Sequence, residues 1–324
     1  MLPRMPSALP HLTLKLAEMV PSHQPVLYQE IIHALRPKSG ERYMDGTVGA
    51  GGHAAGLLAA SGPGGLLLGL DVDPQALRLA HQKLAPFGER AWLKKAPYTT
   101  LPMQLAELGW DSVDGILLDL GASSMQFDNP ERGFSFLADG PLDMRFDPSN
   151  PLTAAEVINM WPEQELADII FQYGEERAAR RIARAIVSAR PVEGTRQLAA
   201  IIERVRPRRG DPHHPATLTF QALRIVVNNE LESVEKVLPL AVQALGTGGR
   251  LAVIAFHSLE DRLVKEYFRW ESKDCICPPN QPVCTCGHKA SIKEITRRPI
   301  RPTEEEINQN SRARSAKLRV AEKL

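Results

Sequence analysis

A glycine-rich turn between two apolar runs constrains this chain more than any other feature. Tyr43-Met44-Asp45-Gly46-Thr47-Val48-Gly49-Ala50-Gly51-Gly52-His53 has the pattern of a strand end, a tight turn and a helix start. A second run, Leu66-Leu67-Leu68-Gly69-Leu70, ends at Asp71, 20 residues past Gly51. Such a layout holds an adenosine at the edge of an α/β sheet. The glycines let the backbone approach the ligand, and the later carboxylate accepts the ribose hydroxyls.

The strand and helix signals that follow agree. Residues 26–36 are patterned as a short amphipathic helix closed by Pro37 and Gly40, and strands are expected near 42–46, 66–71, 91–95 and 113–119. Asp73 before Pro74 is an N-cap followed by a first helical residue, opening a helix to about Leu84. Strands alternating with helices predict an α/β fold with a Rossmann-like, doubly wound sheet. The alternation stops at residues 128–150, a Gly-, Pro- and Asp-rich loop. Residues 153–206 are helical in pattern, broken at Pro162, Pro191 and Gly194. Asp211-Pro212-His213-His214-Pro215 closes this all-helical insertion. One long helix over 217–245 then stops at Gly246-Thr247-Gly248-Gly249, and Arg250–Phe256 resumes the sheet. The predicted organisation is therefore a sheet domain over 23–128, an inserted helical domain over 129–215 and the rest of the sheet domain over 216–324.

With 324 residues, 43% hydrophobic and 24% charged, the chain has ample core for this plan. No apolar run approaches the roughly 20 residues that cross a bilayer, and no membrane role is expected. The first residues carry Arg4, Lys15 and Glu18 without a coherent apolar stretch, so they suggest a ragged start and a cytoplasmic protein, not a secreted one. The net charge of +1 hides an asymmetry. Residues 175–209 hold 10 arginines against 4 glutamates, and residues 289–324 hold 10 Lys/Arg against 5 glutamates. Two basic stretches on a near-neutral chain suit phosphate contacts, or solvated helix faces.

The fingerprint Gly49-x-Gly51-x-x-Ala54 admits a dinucleotide, and a dehydrogenase is the rival that follows from it. Asp45 opposes that rival. It ends strand one beside the turn, where a carboxylate would repel a pyrophosphate and attract an ammonium. Asp45, Asp71 and Asp119 all fall at carboxyl ends of strands, where such sheets bind ligands. Three acids there fit S-adenosyl-L-methionine, cationic at its amine and sulfonium. Asp119 opens the stretch Asp119-Leu120-Gly121-Ala122-Ser123-Ser124-Met125-Gln126, placed to accept hydrogen bonds from an exocyclic amine awaiting in-line methyl attack. Asp119 and Ser123 are the candidate catalytic groups there. Cytosine carbon-5 methylation wants a cysteine nucleophile, and all four cysteines lie within 275–286. His257-Ser258-Leu259-Glu260-Asp261, at another carboxyl edge, offers His257 for proton handling, while Ser258 and Asp261 resemble a capping box.

Longer stretches make a resemblance specific. They are His23-Gln24-Pro25-Val26-Leu27, Asp45-Gly46-Thr47 through Gly51-Gly52-His53, Gly115–Gly121, Glu131-Arg132-Gly133-Phe134-Ser135-Phe136, Gly140–Arg145, Tyr173–Arg177, Phe220–Ile225, Phe256–Arg262 and Arg312–Arg319. In order and together, they resemble the MraW/RsmH family of S-adenosylmethionine-dependent methyltransferases. The resemblance implies methylation of cytosine N4 in small-subunit (16S) ribosomal RNA. It implies cofactor contacts at Gly51, Gly52, His53, Asp71, Tyr98, Asp119 and Gln126, beside Asp45. The partner expected is that RNA or the assembling small subunit. An assembly factor with an idle cofactor site is the alternative, and a homodimer stays open. Arg132, Arg145, Arg312 and Arg314 are RNA-phosphate candidates, with salt bridges the competing role for Arg132 and Arg145. Phe134 and Phe136 would stack on a flipped base or anchor their loop. The chain departs from the family pattern at Tyr98 (usually Phe), Phe146 (Met), Leu218 (Arg) and Ser311 (Pro).

Cys275-x-Cys277 and Cys284-x-Cys286 gather every cysteine into 12 residues. A structural zinc site, two local disulfides and a metal-free loop all fit this spacing, which is tighter than the usual two to four residues. No catalytic role follows from it.

Overall fold

The computed structural model describes residues 25–207, 214–278, 281 and 283–324. The ragged start, His23 and Gln24 of the family stretch, and Asp211-Pro212-His213 lie outside the described residues.

The first part alternates as expected: α1 (Tyr28–Leu35), β1 (Arg42–Asp45), α2 (Gly52–Ala60), β2 (Leu66–Asp71), α3 (Pro74–Leu84), β3 (Ala91–Lys95), α4 (Leu101–Glu107), β4 (Val113–Asp119) and the short α5 (Ser124–Asp128). Helices α6 (Ala154–Met160), α7 (Glu163–Gly174), α8 (Ala179–Ser188) and α9 (Thr195–Val205) follow the long loop. The chain returns through α10 (Thr217–Asn228), α11 (Glu230–Ala244), β5 (Leu245–Ala255), α12 (Ser258–Glu271), β6 (Ile292–Glu294), α13 (Glu304–Gln309) and β7 (Lys317–Lys323).

Seven strands form one sheet in the order β3-β2-β1-β4-β5-β7-β6. β1 to β5 run parallel, and β7 is antiparallel to both β5 and β6. Successive side chains on a strand face opposite ways, and both faces of this sheet are covered. Met44, Leu68, Leu118 and Leu251 pack with Leu105, Val237 and Phe268 on one side. Tyr43, Leu67, Leu117 and Ala252 pack with Ile31, Leu57 and Ala80 on the other. This is why the central strands are continuous apolar runs and not alternating ones. The inserted helices carry a third core, with Val157, Ile170, Ile182 and Ile202 at its centre.

Four expectations change. The long helix over 217–245 is two helices, because Asn229 adopts a left-handed backbone (φ 50°) that ends α10 and starts α11. The buried Phe220, Leu223 and Val227 of α10 belong to the core of the inserted helices. His257, not Ser258, is the N-cap of α12, its ring nitrogen accepting from the Glu260 N–H. Finally, the C-terminal basic stretch is not a free tail. β7 lies between β5 and β6, and Arg319 is buried against Asp261 (Nε–Oδ1 2.7 Å).

Candidate active site at the carboxyl rim

Parallel pairing lines up the ends of β1, β2, β4 and β5, so Asp45, Asp71, Asp119 and His257 meet at one rim. The turn after β1 is shaped by glycine. Gly49 (φ 52°) and Gly51 (φ 81°) take left-handed conformations, and a Cβ on Gly51 would stand 3.3 Å from the α3 backbone at Ala80. The Gly49 N–H donates to Asp71 Oδ2 at 2.8 Å, and the Asp73 N–H donates to Asp71 Oδ1 at 2.9 Å. Asp71 is thereby locked against the glycine loop, and burial pushes its carboxyl above the ordinary range.

Asp45 is 1% exposed and accepts one backbone N–H, from Thr47 at 3.1 Å. Burial, with help from Asp71, pushes its carboxyl up to about 7. Asp119 is still less provided for. Its Oδ1 is shut off from solvent with no hydrogen-bond partner, and its Oδ2 lies 3.7 Å from His53 Nε2. Burial, then the charges of Asp45 and Glu260, raise it to about 8. His53 offers no compensating charge, since burial lowers it to about 4 and keeps it neutral. Asp45 is buried and Asp119 is 26% exposed with one oxygen shut off, and with no cation against them among the described residues they favour a cationic ligand.

Beneath the rim lies a second, compensated cluster. Arg224 clamps Glu230 at 2.8 and 2.9 Å, and Glu260 accepts from the Phe256 N–H at 2.9 Å with its other oxygen 3.2 Å from His257 Nε2. Burial pushes Glu230 up, while His257 and Arg224 hold Glu260 below its usual range. Tyr98 stands beside Gly46, its hydroxyl meeting Ser233 of α11. Sequence reading missed Glu230 entirely. No local motif marks it, and its role appears only when Asn229 turns α11 back onto α10.

The remaining site residues divide clearly. Gly52 and His53 open α2 at the rim. Ser123 and Gln126 form the capping box of α5, and Gln126 also donates to Asp73 Oδ2 at 3.0 Å. The Ser123 hydroxyl accepts the Gln126 N–H at 3.4 Å in this cap. Arg132 is spent inside the protein, on Asp73 (2.6 Å) and on the carbonyls of Arg145 and Phe146 (2.8 and 3.0 Å). Arg145 grips Asp143 with two bonds and the Asn150 carbonyl with a third. Both arginines make ion pairs within the protein. Phe134 is buried between Phe127 and Phe146, and Phe136 packs on His214 and Phe220, which makes them loop anchors. Arg312 pairs with Asp128 over the Phe127 ring. Arg314 lines a groove of about 260 Å³ with His257, Arg301 and Lys317, next to the rim. Among the described residues no helix is long and apolar enough to cross a membrane.

The strand order with its reversed β7, the glycine loop after β1 and the carboxylates at the strand ends define an S-adenosylmethionine-dependent methyltransferase of the α/β class. Residues 21–324 match the MraW methylase family, and the chain belongs to it. It is 52% identical over 309 residues to a ribosomal RNA small subunit methyltransferase H of Lawsonia intracellularis, covering 93% of this chain and 99% of that one. The protein of the same description from Carboxydothermus hydrogenoformans is 52% identical over 307 residues, covering 94% and 98%. A crystal structure of a putative rRNA-methylase from Clostridium thermocellum superposes with a TM-score of 0.43 at 14% identity, covering 93% of this chain and 98% of that one.

Proposed function

We propose that this chain transfers a methyl group from S-adenosylmethionine to the exocyclic N4 amine of a cytidine in small-subunit (16S) ribosomal RNA. The observation that carries the reading is the pair of carboxylates at the rim of a methyltransferase sheet, Asp45 buried and Asp119 partly exposed with one enclosed oxygen, neither facing a cation among the described residues. The donor supplies a methyl on a sulfonium and brings a second positive charge on its amine. Asp45 would hold that amine. The Gly49–Gly52 loop and Asp71, held in place by the Gly49 and Asp73 N–H groups, would hold the ribose. A pyrophosphate in this place would face two carboxylates and no cation, which disfavours the dinucleotide alternative.

Asp119 Oδ1 has no hydrogen-bond partner among the described residues, and it would accept a hydrogen bond from the target amine. An aromatic amine shares its lone pair with the ring, so orientation by an acceptor is what makes it a competent nucleophile. The leaving proton would pass to the same carboxylate, which would be ionised for that task by the positive charge of the bound donor beside it. His257 would position this corner through Glu260.

The RNA would be gripped by phosphate contacts. The exposed Arg180, Arg181 and Arg184 of α8 and the groove holding Arg301, Arg314 and Lys317 supply cations for it. The helical unit doing so would span 129–228, since α10 packs into its core. The test is incorporation of labelled methyl into small-subunit RNA or assembling subunits, followed by nucleoside analysis. N4-methylcytidine is expected. Methyl on another atom, or binding without incorporation as the idle-site assembly factor requires, overturns the proposal.

A further inference from the structure

The stretch from Lys273 to Ala290 leaves the end of α12 and returns to β6, and none of its described residues is buried. Val283 is 70% exposed. Its base is closed by the Ser291 N–H donating to the Glu271 carbonyl at 2.9 Å. Beyond that base it has no apolar core among the described residues, and a segment that buries nothing needs another source of order.

The four thiols supply it. Cys284 Sγ lies 3.4 Å from Cys275 Sγ, 3.9 Å from Cys277 Sγ and 3.5 Å from Cys286 Sγ, and Cys286 and Cys275 are 3.9 Å apart. All four sulfurs fall within 4.8 Å of one another. Four ligands at the zinc–sulfur bond length of about 2.3 Å stand about 3.8 Å apart at the corners of a tetrahedron. The observed separations bracket that edge. Disulfides would instead draw the sulfurs into two pairs at about 2.05 Å, whereas Cys284 is shared among three neighbours and all four cysteines are free. The Ile276 N–H points at Cys286 Sγ at 3.5 Å, the backbone contact that stabilises a thiolate ligand.

We propose that Cys275, Cys277, Cys284 and Cys286 bind one zinc ion as a closed, structural four-thiolate site that staples this excursion between α12 and β6. Binding replaces four S–H bonds with four Zn–S bonds and releases the thiol protons to solvent. With all four positions filled by sulfur, the ion keeps no open site for chemistry. Its position agrees. α12 starts at the rim with His257 as its cap and spans 14 residues, roughly 20 Å, before the thiols follow its other end.

The experiment is metal analysis of the full chain purified under reducing conditions, with and without Cys277→Ser/Cys286→Ser. About one zinc per chain is expected in the wild type, and a value near background in the variant. Donor affinity should change less than about twofold, since the two sites are far apart. Cobalt(II) exchanged into the wild type gives a readout independent of any variant's folding. It should show the visible bands and sulfur-to-metal charge transfer of tetrahedral thiolate coordination. Four freely reacting thiols without metal, a mass lowered by two disulfides, or stoichiometric iron in place of zinc would overturn the proposal.

Discussion

Asp73 and Asp119 sit at the same edge of the same sheet, one just past β2 and one at the end of β4, yet their surroundings are opposite. Asp73 is 2% exposed and receives three hydrogen bonds, from the Gln75 N–H (2.8 Å), Gln126 Nε2 (3.0 Å) and Arg132 Nη1 (2.6 Å). Asp119 keeps a buried oxygen with no partner and sits beside other acids. The first carboxylate ties the sheet to the long loop before the inserted helices. The second is the group proposed to meet the target amine. A buried acid with its bonds filled is architecture, and one left unfilled at a ligand rim is a binding or reacting group.

Substitution should separate the two most sharply at Asp119. Asp119→Ala is expected to lower methyl transfer by about 10²–10³-fold, the usual cost of removing a preorganised polar group. The same change should leave the melting temperature unchanged or higher, because a carboxylate with one enclosed, unpaired oxygen has been removed. A stability loss matching the activity loss would erase the distinction. Asp73→Ala is expected to cost about 3–5 kcal/mol in denaturant unfolding, because Arg132 is left buried without its charge partner. Donor affinity of the fraction still folded should stay close to wild type. A stable Asp73→Ala protein that cannot bind donor would reverse the assignments.

The smallest and most diagnostic effect is the pH response of donor binding. With its carboxyl at about 7 without ligand, Asp45 is largely protonated in mild acid, whereas a cationic donor needs it ionised. Donor affinity should therefore fall as pH drops from about 8 to about 6, approaching tenfold per unit below 7, as calorimetry would show. Asp45→Asn should flatten that slope. The sign for stability is opposite. A carboxyl raised in the folded state contributes stability in acid that is lost as pH rises from about 4 through 7. Donor should restore more of the melting temperature at pH 8 than at pH 6.

Much of this was legible from local chemistry. The strands over 66–71, 91–95 and 113–119 end where apolar runs meet glycine, proline or aspartate, and the Asp73–Pro74 cap formed as its residue types require. The breaks that escaped notice lack such punctuation. Asn229 takes a left-handed backbone without being glycine, and a lone asparagine is a weaker stop than the Gly-Pro clusters elsewhere, so the end of α10 is poorly marked. The capping box of α12 is displaced by one residue because an imidazole does the work usually given to a hydroxyl. The basic stretches are legible as charge but not as location. Arg319 is buried in an ion pair with Asp261, while Arg314 faces an open groove.

What the chain's order of residues settled alone is the alternating sheet, the glycine loop and the acids at the strand ends, because these depend on short-range sterics and on a period of two or 3.6 residues. Tertiary structure alone decided which of those acids stay unpaired. Partners such as Arg132 and Gln126, 59 and 53 residues from Asp73, reach it only after the chain has folded. The same holds for the four sulfurs. Their spacing along the chain left metal, disulfides and open loop all available, and only the folded structure shows all four within 4.8 Å of one another.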